Sequence, residues 1–168
     1  VYSRGGKEYT VESRSKTLAS LTTEHDIQFA TMSPDGWLAL VTASRFRTTL
    51  HVYDPTYSTA PAFTWPIKDV RPVLAAFHND NKSLVLGCLT ARDGAIASTL
   101  YLLRTDRDSV VAEINVDNAT LLSAEYLGNH RVLAIFDRFV ALYNTKGEEL
   151  ARYEYGERRL LTSDTTSD

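Results

Sequence analysis

Three segments of the chain repeat one pattern, in which an apolar run, a turn and a second apolar run follow each other. The segment FATMSPDGWLALVTA (29–43) aligns with LAAFHNDNKSLVLGC (74–88) and, more loosely, with SAEYLGNHRVLAIF (123–136). Each is followed by a third run with a similar apolar and aromatic pattern, namely LHVYD, LYLLR and VALYN. A period of about 45 residues with four short runs per unit is typical of propeller blades. An ordinary sandwich would not need its units to resemble one another.

The runs themselves have the composition of β-strands. They are short and rich in Val, Ile, Leu, Tyr, Phe and Thr, helical periodicity is scarce, and turn residues separate neighbouring runs. Short connections of this kind favour antiparallel meanders. The sequence therefore predicts an all-β fold, a β-propeller fragment with about three complete four-stranded antiparallel blades plus partial blades at both ends.

The repeat also predicts where the blades begin and end. Because residues 1–14 align with residues 142–155, we expect the chain to begin inside the third strand of a blade and to continue into its fourth. The predicted parts of a single propeller-type domain, residues 1–168, are the end of a preceding blade (1–14), three blades (26–67, 72–116 and 120–155), and the first strand of a next blade with a polar tail (158–168).

The turns between first and second strands use residues that tolerate turn geometry. In the first blade, Pro34 presets φ, Asp35 can bond its own backbone, and Gly36 tolerates a positive φ. The corresponding turn of the second blade, Asn79-Asp80-Asn81, has oxygen donors but lacks the alternating donors, central glycine and late acid of a calcium loop. We expect turns here, and no metal site.

Composition and motifs argue against several functional classes. The net charge is −3 and the sequence contains no extended run of basic residues, so nucleic acid is not an expected partner. The one cysteine, Cys88, lies in an apolar run and is expected to be a buried hydrophobe rather than a nucleophile. The four histidines show no metal-ligand spacing, and no GxSxG, phosphate-loop or dinucleotide motif occurs. We therefore predict no catalytic residue, no metal and no cofactor.

Two loops contain the candidate binding residues. The loop SRFRT places Arg45 and Arg47 on either side of Phe46 and has no counterpart in the other blades. The connection DPTYSTAPAFTWP adds Tyr57 and Trp65, aromatic residues that could dock a peptide or a sugar if they are exposed. The alternative for Trp65 is packing within the outer strand of its blade.

The chain holds no apolar run of the roughly 18 residues that span a membrane. It begins at Val1, and its only methionine is Met32. We therefore expect the native start, with any N-terminal anchor, to lie upstream of this sequence.

Several stretches together resemble a known family. VYSRGGKEYTVESRSKTL, IQFATMSPDGWLALVT, FRTTLHVYD, GAIASTLYLL and VLAIFDRFVALYNTKGEEL look like the DUF5711 family of Gram-positive gut bacteria, whose proteins are similar to WD40-like propellers. The resemblance implies an extracytoplasmic propeller held at the membrane by an N-terminal transmembrane helix. It implies no catalytic residue. The GH and WD dipeptides of true WD40 blades are absent.

Three functions are open at this point. The first is a non-enzymatic propeller scaffold that binds or senses a protein or cell-envelope component through its loops. The second is a small-molecule- or glycan-binding or hydrolysing propeller that uses the central channel, and the third is a structural spacer. Open blade edges also predict self-association of the fragment.

Overall fold

The structure, a computed structural model, describes residues 1–107, 109–128 and 130–156. Within these ranges the chain forms fourteen β-strands and no helix long and apolar enough to cross a membrane. The strands are β1 (Glu8–Glu12), β2 (Thr17–Thr22), β3 (Asp26–Met32), β4 (Leu38–Ala43), β5 (Thr48–Tyr53), β6 (Phe63–Ile67), β7 (Arg71–Phe77), β8 (Ser83–Arg92), β9 (Ala95–Arg104), β10 (Ser109–Val116), β11 (Leu121–Leu127), β12 (Arg131–Phe136), β13 (Phe139–Asn144) and β14 (Glu149–Glu154). The predicted strand in residues 158–168 lies outside the described residues.

The strands form three four-stranded sheets and one two-stranded sheet. Strands β3 to β6, β7 to β10 and β11 to β14 each pair in chain order, and every pairing is antiparallel. The predicted all-β class and the three four-stranded units are therefore confirmed. Their consecutive meander order is consistent with propeller blades.

Each four-stranded sheet has a bulge at the same place in its first strand. The register between first and second strands shifts between Ile27 and Phe29, between Pro72 and Leu74, and between Leu121 and Ser123. A bulge adds one residue to one strand and increases its local twist. The repeat is thus one of backbone geometry as well as of sequence.

The two-stranded sheet differs from the prediction. Residues 17–22 were not predicted to be a strand, yet they form β2 and pair with β1, whose other side carries a bridge between Tyr2 and Tyr9. The alignment of residues 1–14 with 142–155 implied that β1 is the outer strand of its sheet. The structure instead gives β1 a partner on each side. The three-residue connection 23–25 between β2 and β3 has the same length as the connection 68–70 between β6 and β7.

The chain divides into two compact units, of which unit 1 contains β1 to β6 and unit 2 contains β7 to β14. Each unit has its own apolar core. The core of unit 1 packs the β1–β2 sheet against one face of the β3–β6 sheet, through Tyr9, Val11, Ile27, Leu38, Leu40, Tyr53 and Tyr57. The core of unit 2 joins its two sheets in the same manner, with Leu100, Leu102, Leu121, Val132, Phe136 and Phe139 among its members. Burial of such side chains stabilises each unit by about 1.5–3 kcal/mol per residue.

Cys88 is a core residue, as predicted. It is fully buried in β8, and burial raises the pKa of its thiol to about 12. A thiol with so high a pKa carries almost no thiolate at neutral pH and is a poor nucleophile.

The turn at Asp80 is closed by its own carboxylate. Oδ1 of Asp80 accepts hydrogen bonds from the backbone N–H groups of Lys82 (2.9 Å) and Ser83 (2.7 Å), and Oδ2 accepts one from the Ser83 hydroxyl (2.8 Å). Burial alone would raise the pKa of Asp80, but these hydrogen bonds and the nearby His78 outweigh it and lower the pKa to about 2. The carboxylate thus serves the turn, as the sequence predicted for this loop.

Candidate functional site

Unit 1 carries a polar groove with a volume of about 400 Å³. We call it the unit 1 groove. Its walls come from the β2–β3 connection, the β4–β5 and β5–β6 loops, and one face of β4, β5 and β6. The lining residues are Thr22, Thr23, Glu24, His25, Thr42, Arg47, Thr49, His51, Tyr53, Thr59, Pro61 and Thr64.

Strand alternation explains why a polar face lies on an otherwise apolar sheet. In β5, Thr49 and His51 point to the groove. The alternating residues Leu50 and Val52 point to the opposite face and are fully buried. Neighbouring strands continue both faces, since Thr49 pairs with Thr42 of β4 and His51 with Thr64 of β6. The local sequence TTLHVY therefore gives this face its polar floor.

Different residues take the corresponding strand positions in unit 2. Counted from the buried tyrosines that end the third strands, Tyr53 and Tyr143, the positions of His51 and Thr49 correspond to Ala141 and Phe139 of β13. The same count matches Thr42 with Phe136.

Phe136 and Phe139 of unit 2 stand where Thr42 and Thr49 stand in unit 1. Phe136 and Phe139 have ring centroids 4.6 Å apart, and the Arg152 guanidinium lies 3.8 Å from the Phe139 centroid. Unit 2 also has a groove here, of about 420 Å³ and lined by Arg138, Phe139 and Arg152 among others. Its described lining also includes Asp117, Asn118 and Glu154, so the two grooves differ at the floor position that Phe139 occupies and not in overall polarity.

Hydrogen bonds hold some of the polar groups of the unit 1 groove in place. Nε2 of His51 lies 3.1 Å from Oγ1 of Thr42. The hydroxyl of Thr23 lies 2.7 Å from the carbonyl oxygen of His25 and 2.9 Å from that of Lys7, which anchors the β2–β3 connection to the start of β1. The carboxylate of Glu24 is 4.0 Å from Nε2 of His25. These contacts fix the groove walls before any ligand binds.

The groove lowers the pKa of His51 from its ordinary value of 6.5, first by burial and second by the charge of His25. The unfolded chain accordingly takes up a proton near pH 6.5, whereas the folded chain takes it up only at lower pH. Stability is thus fully present above pH 6.5 and is lost as the pH falls through that window.

We expect the thermal unfolding midpoint to fall from pH 7.5 to 5.5, and to fall less steeply in His51→Gln. A matched control is His130→Asn, because His130 is an exposed histidine of unit 2 whose φ of 77° asparagine tolerates. Calorimetry at each pH measures the slope. Equal slopes for His51→Gln and the wild type would contradict the buried, neutral state of His51.

Of the five predicted binding residues, Arg47 lines the groove and two others stand beside it. Residues 44–47 form the β4–β5 loop, closed by a hydrogen bond from the N–H of Ser44 to the carbonyl oxygen of Arg47 (2.7 Å). Phe46 is 89% exposed, and the Arg45 guanidinium lies 5.3 Å from its ring centroid. The loop therefore presents an aromatic ring and two cations at one edge of the groove.

Tyr57 and Trp65 do not join this loop as exposed aromatics. Tyr57 is 7% exposed, packs in the unit 1 core, and donates its hydroxyl proton to the carbonyl oxygen of Gly36 (2.7 Å). The expectation that it is exposed for docking is wrong, because the Gly36 carbonyl gives its hydroxyl a partner inside the fold. Trp65 is half-buried in β6, opposite Leu50, on the face away from Thr64 and the groove. Its position agrees with the alternative, packing within the outer strand.

His25, His51, Thr42 and Thr49 were missed by sequence reasoning. The histidines were compared with metal-ligand spacings along the chain, but the two that line one groove come from a connection and a strand far apart in sequence. Among the described residues, no group of three or more His, Cys, Asp or Glu residues could hold a metal ion. The available signal was the change from F-V-A-L-Y in β13 to T-L-H-V-Y in β5 at aligned positions.

Comparison with known protein families finds one whose model matches this chain. The model of DUF5711, a family of unknown function, matches residues 1–158 and so covers every described strand. The resemblance seen in the sequence is thereby confirmed. No curated protein matches the chain.

Proposed function

We propose that this chain, which belongs to the DUF5711 family, a family of unknown function, is a non-enzymatic binding module that recognises a protein or cell-envelope component. The binding surface is the β4–β5 loop, residues 44–47, together with the unit 1 groove beside it. The observation that carries this proposal is the exposed Phe46 between two arginines at the edge of a polar groove.

The composition of this surface is that of a recognition site. Aromatic residues and arginine dominate binding energy at protein interfaces, whereas a fully exposed phenylalanine gains nothing for the fold. The strands of the three sheets repeat, but the loop of Arg45, Phe46 and Arg47 occurs once. A scaffold that repeats its strands and varies its loops concentrates its function in those loops.

The proposed setting is the outer face of a membrane, with the full-length protein held there by an N-terminal anchor. The support is the family resemblance and the loop chemistry, since a cationic, aromatic loop suits the anionic polymers and proteins of an envelope. Self-association is a further part of the proposal. Every residue of β14 is exposed, including Leu150 at 49% and Tyr153 at 61%, and exposed edge strands promote pairing with another chain.

The proposed function is tested by immobilising the chain and measuring which proteins and polymers it retains from Gram-positive envelope fractions. We expect the double charge reversal Arg45→Glu and Arg47→Glu to reduce retention at least about tenfold, which corresponds to the loss of about 1.4 kcal/mol of binding free energy. The matched control is Arg14→Glu with Arg71→Glu, which makes the same change in net charge at two exposed arginines that belong neither to the loop nor to the groove lining. Equal retention by the two double variants contradicts the assignment of the surface.

A further inference from the structure

We propose that the unit 1 groove binds a sugar acid, meaning a hydroxylated small molecule or sugar residue that carries one carboxylate. The inference deepens the proposed function and rests on it, since it names the chemistry that the same surface recognises. Three properties of the groove carry it: the polar floor, the supply of hydroxyl groups, and the single permanent cation at its edge.

The floor of the groove favours a ligand with polar groups. Thr42 and Thr49 are 2% and 7% exposed, so they occupy core positions, and the corresponding positions of unit 2 are phenylalanines. The Thr42 hydroxyl already has a partner in His51, whereas the described residues give the Thr49 hydroxyl none, and removing such a group from water without a partner is costly. A ligand that displaces the groove water must therefore supply polar groups of its own.

The hydroxyl supply favours a polyhydroxylated ligand. A threonine hydroxyl has one donor and two acceptor sites and rotates to suit its partner, as does a sugar hydroxyl. Within the described part of the chain, four of the lining threonines have no protein partner for their hydroxyl groups: Thr22, Thr49, Thr59 and Thr64. The groove therefore offers many adaptable contacts to a ligand that has many hydroxyl groups. Its volume of about 400 Å³ suits a small molecule.

The charge of the lining favours one carboxylate. Arg47 is the permanent cation of the lining, and its planar guanidinium matches a carboxylate in a bidentate pair. The one lining acid, Glu24, lies beside His25 rather than beside Arg47 among the ion pairs that the structure describes. A doubly charged phosphate would be left with one charge uncompensated, so one carboxylate is the better match for one guanidinium.

Phe46 extends the site beyond the groove. Its exposed ring offers an apolar face on which the C–H face of a neighbouring sugar can pack, at the same edge as Arg47. The ligand could thus be a free sugar acid or one residue of an acidic polysaccharide. The two sources share the groove chemistry and differ in whether a second sugar residue reaches Phe46.

Calorimetric titration of the chain tests the ligand class with three probes: sodium glucuronate, glucose and sodium acetate. Glucose lacks the carboxylate and acetate lacks the hydroxyl groups. We expect glucuronate to bind at least about tenfold more tightly than either. In Arg47→Gln we expect the advantage of glucuronate over glucose to disappear.

The matched control for Arg47→Gln is Arg138→Gln, which removes the arginine that lines the unit 2 groove. We expect it to bind glucuronate as the wild type does, and circular dichroism checks that both variants are folded. The inference is overturned if glucuronate does not bind at about 10 mM, if glucose binds equally well, or if both variants lose binding equally.

Titration with a glucuronate oligosaccharide distinguishes the two sources of the sugar acid. Tighter binding of the oligosaccharide than of glucuronate, with the difference lost in Phe46→Ala, supports a polysaccharide, and equal binding supports the free acid.

The titrations also separate this inference from the proposed function. If envelope retention depends on Arg45 and Arg47 but glucuronate does not bind, the sugar-acid assignment is wrong and the proposed function stands. If glucuronate binds but envelope fractions are not retained, the proposed function is wrong and the ligand assignment stands.

Discussion

Replacing Phe136 with alanine is expected to lower the free energy of unfolding by about 3–5 kcal/mol. The side chain is fully buried at the end of β12, packs against Phe139 at a centroid distance of 4.6 Å, and belongs to the core that joins the two sheets of unit 2. Truncation removes its transfer free energy and leaves a cavity between sheets that cannot close without moving whole strands. Urea unfolding followed by circular dichroism measures the change.

The same substitution at Phe46 is the control. Phe46 is 89% exposed, so Phe46→Ala should change the free energy of unfolding by no more than about 0.5 kcal/mol. A cost at Phe136 as small as that at Phe46 would mean that the two sheets of unit 2 do not pack through this residue.

A side chain at Gly87 is expected to destabilise unit 2 by about 1–3 kcal/mol, even when it is only the methyl group of alanine. A Cβ atom there would clash with Cδ2 of Leu121 and would lie 2.9 Å from Cδ1 of Leu74. Leu121 is itself 4% exposed and has little room to move. Gly87 in β8 thus lets β11 approach closely, and this use of glycine concerns space rather than a special backbone conformation.

A double-mutant cycle separates this clash from other effects of the substitution. In the Leu121→Ala background the nearest obstructing methyl group is absent while Leu74 remains, so Gly87→Ala should cost less there than in the wild type, with a coupling energy of at least about 0.5 kcal/mol. Urea unfolding of the four proteins measures the coupling. Additive costs would contradict the contact between β8 and β11.

Much of the fold could be predicted from the sequence because the repeat and the strand composition are local signals. The segments at 29–43, 74–88 and 123–136 supply the first two strands of three sheets, and the structure places a bulge in each first strand. Strand β2 was missed because TLASLT has few large apolar residues and exposes most of one face. Pairing with β1 determines its structure more than its own composition does.

The candidate site could be predicted only in part, because it depends on which residues meet across strands. The loop of Arg45, Phe46 and Arg47 stood out as the one without a repeat counterpart, and the structure places it at the edge of the groove. The floor was not predictable from spacing, since His51 meets His25 only through the packing of the β2–β3 connection. Tyr57 misled because a tyrosine in a loop looks exposed until its hydroxyl partner, Gly36, is known.

The unit 1 groove, and not the groove of unit 2, is the proposed binding site. Backbone amide chemical shifts of the isotopically labelled chain, recorded during titration with glucuronate, distinguish the two grooves. We expect shifts concentrated at residues 22–25, 42–51 and 59–64, which surround the unit 1 groove, and little change at 117–118, 138–139 and 152–156. Shifts concentrated in the second set, or spread evenly over both, would contradict it.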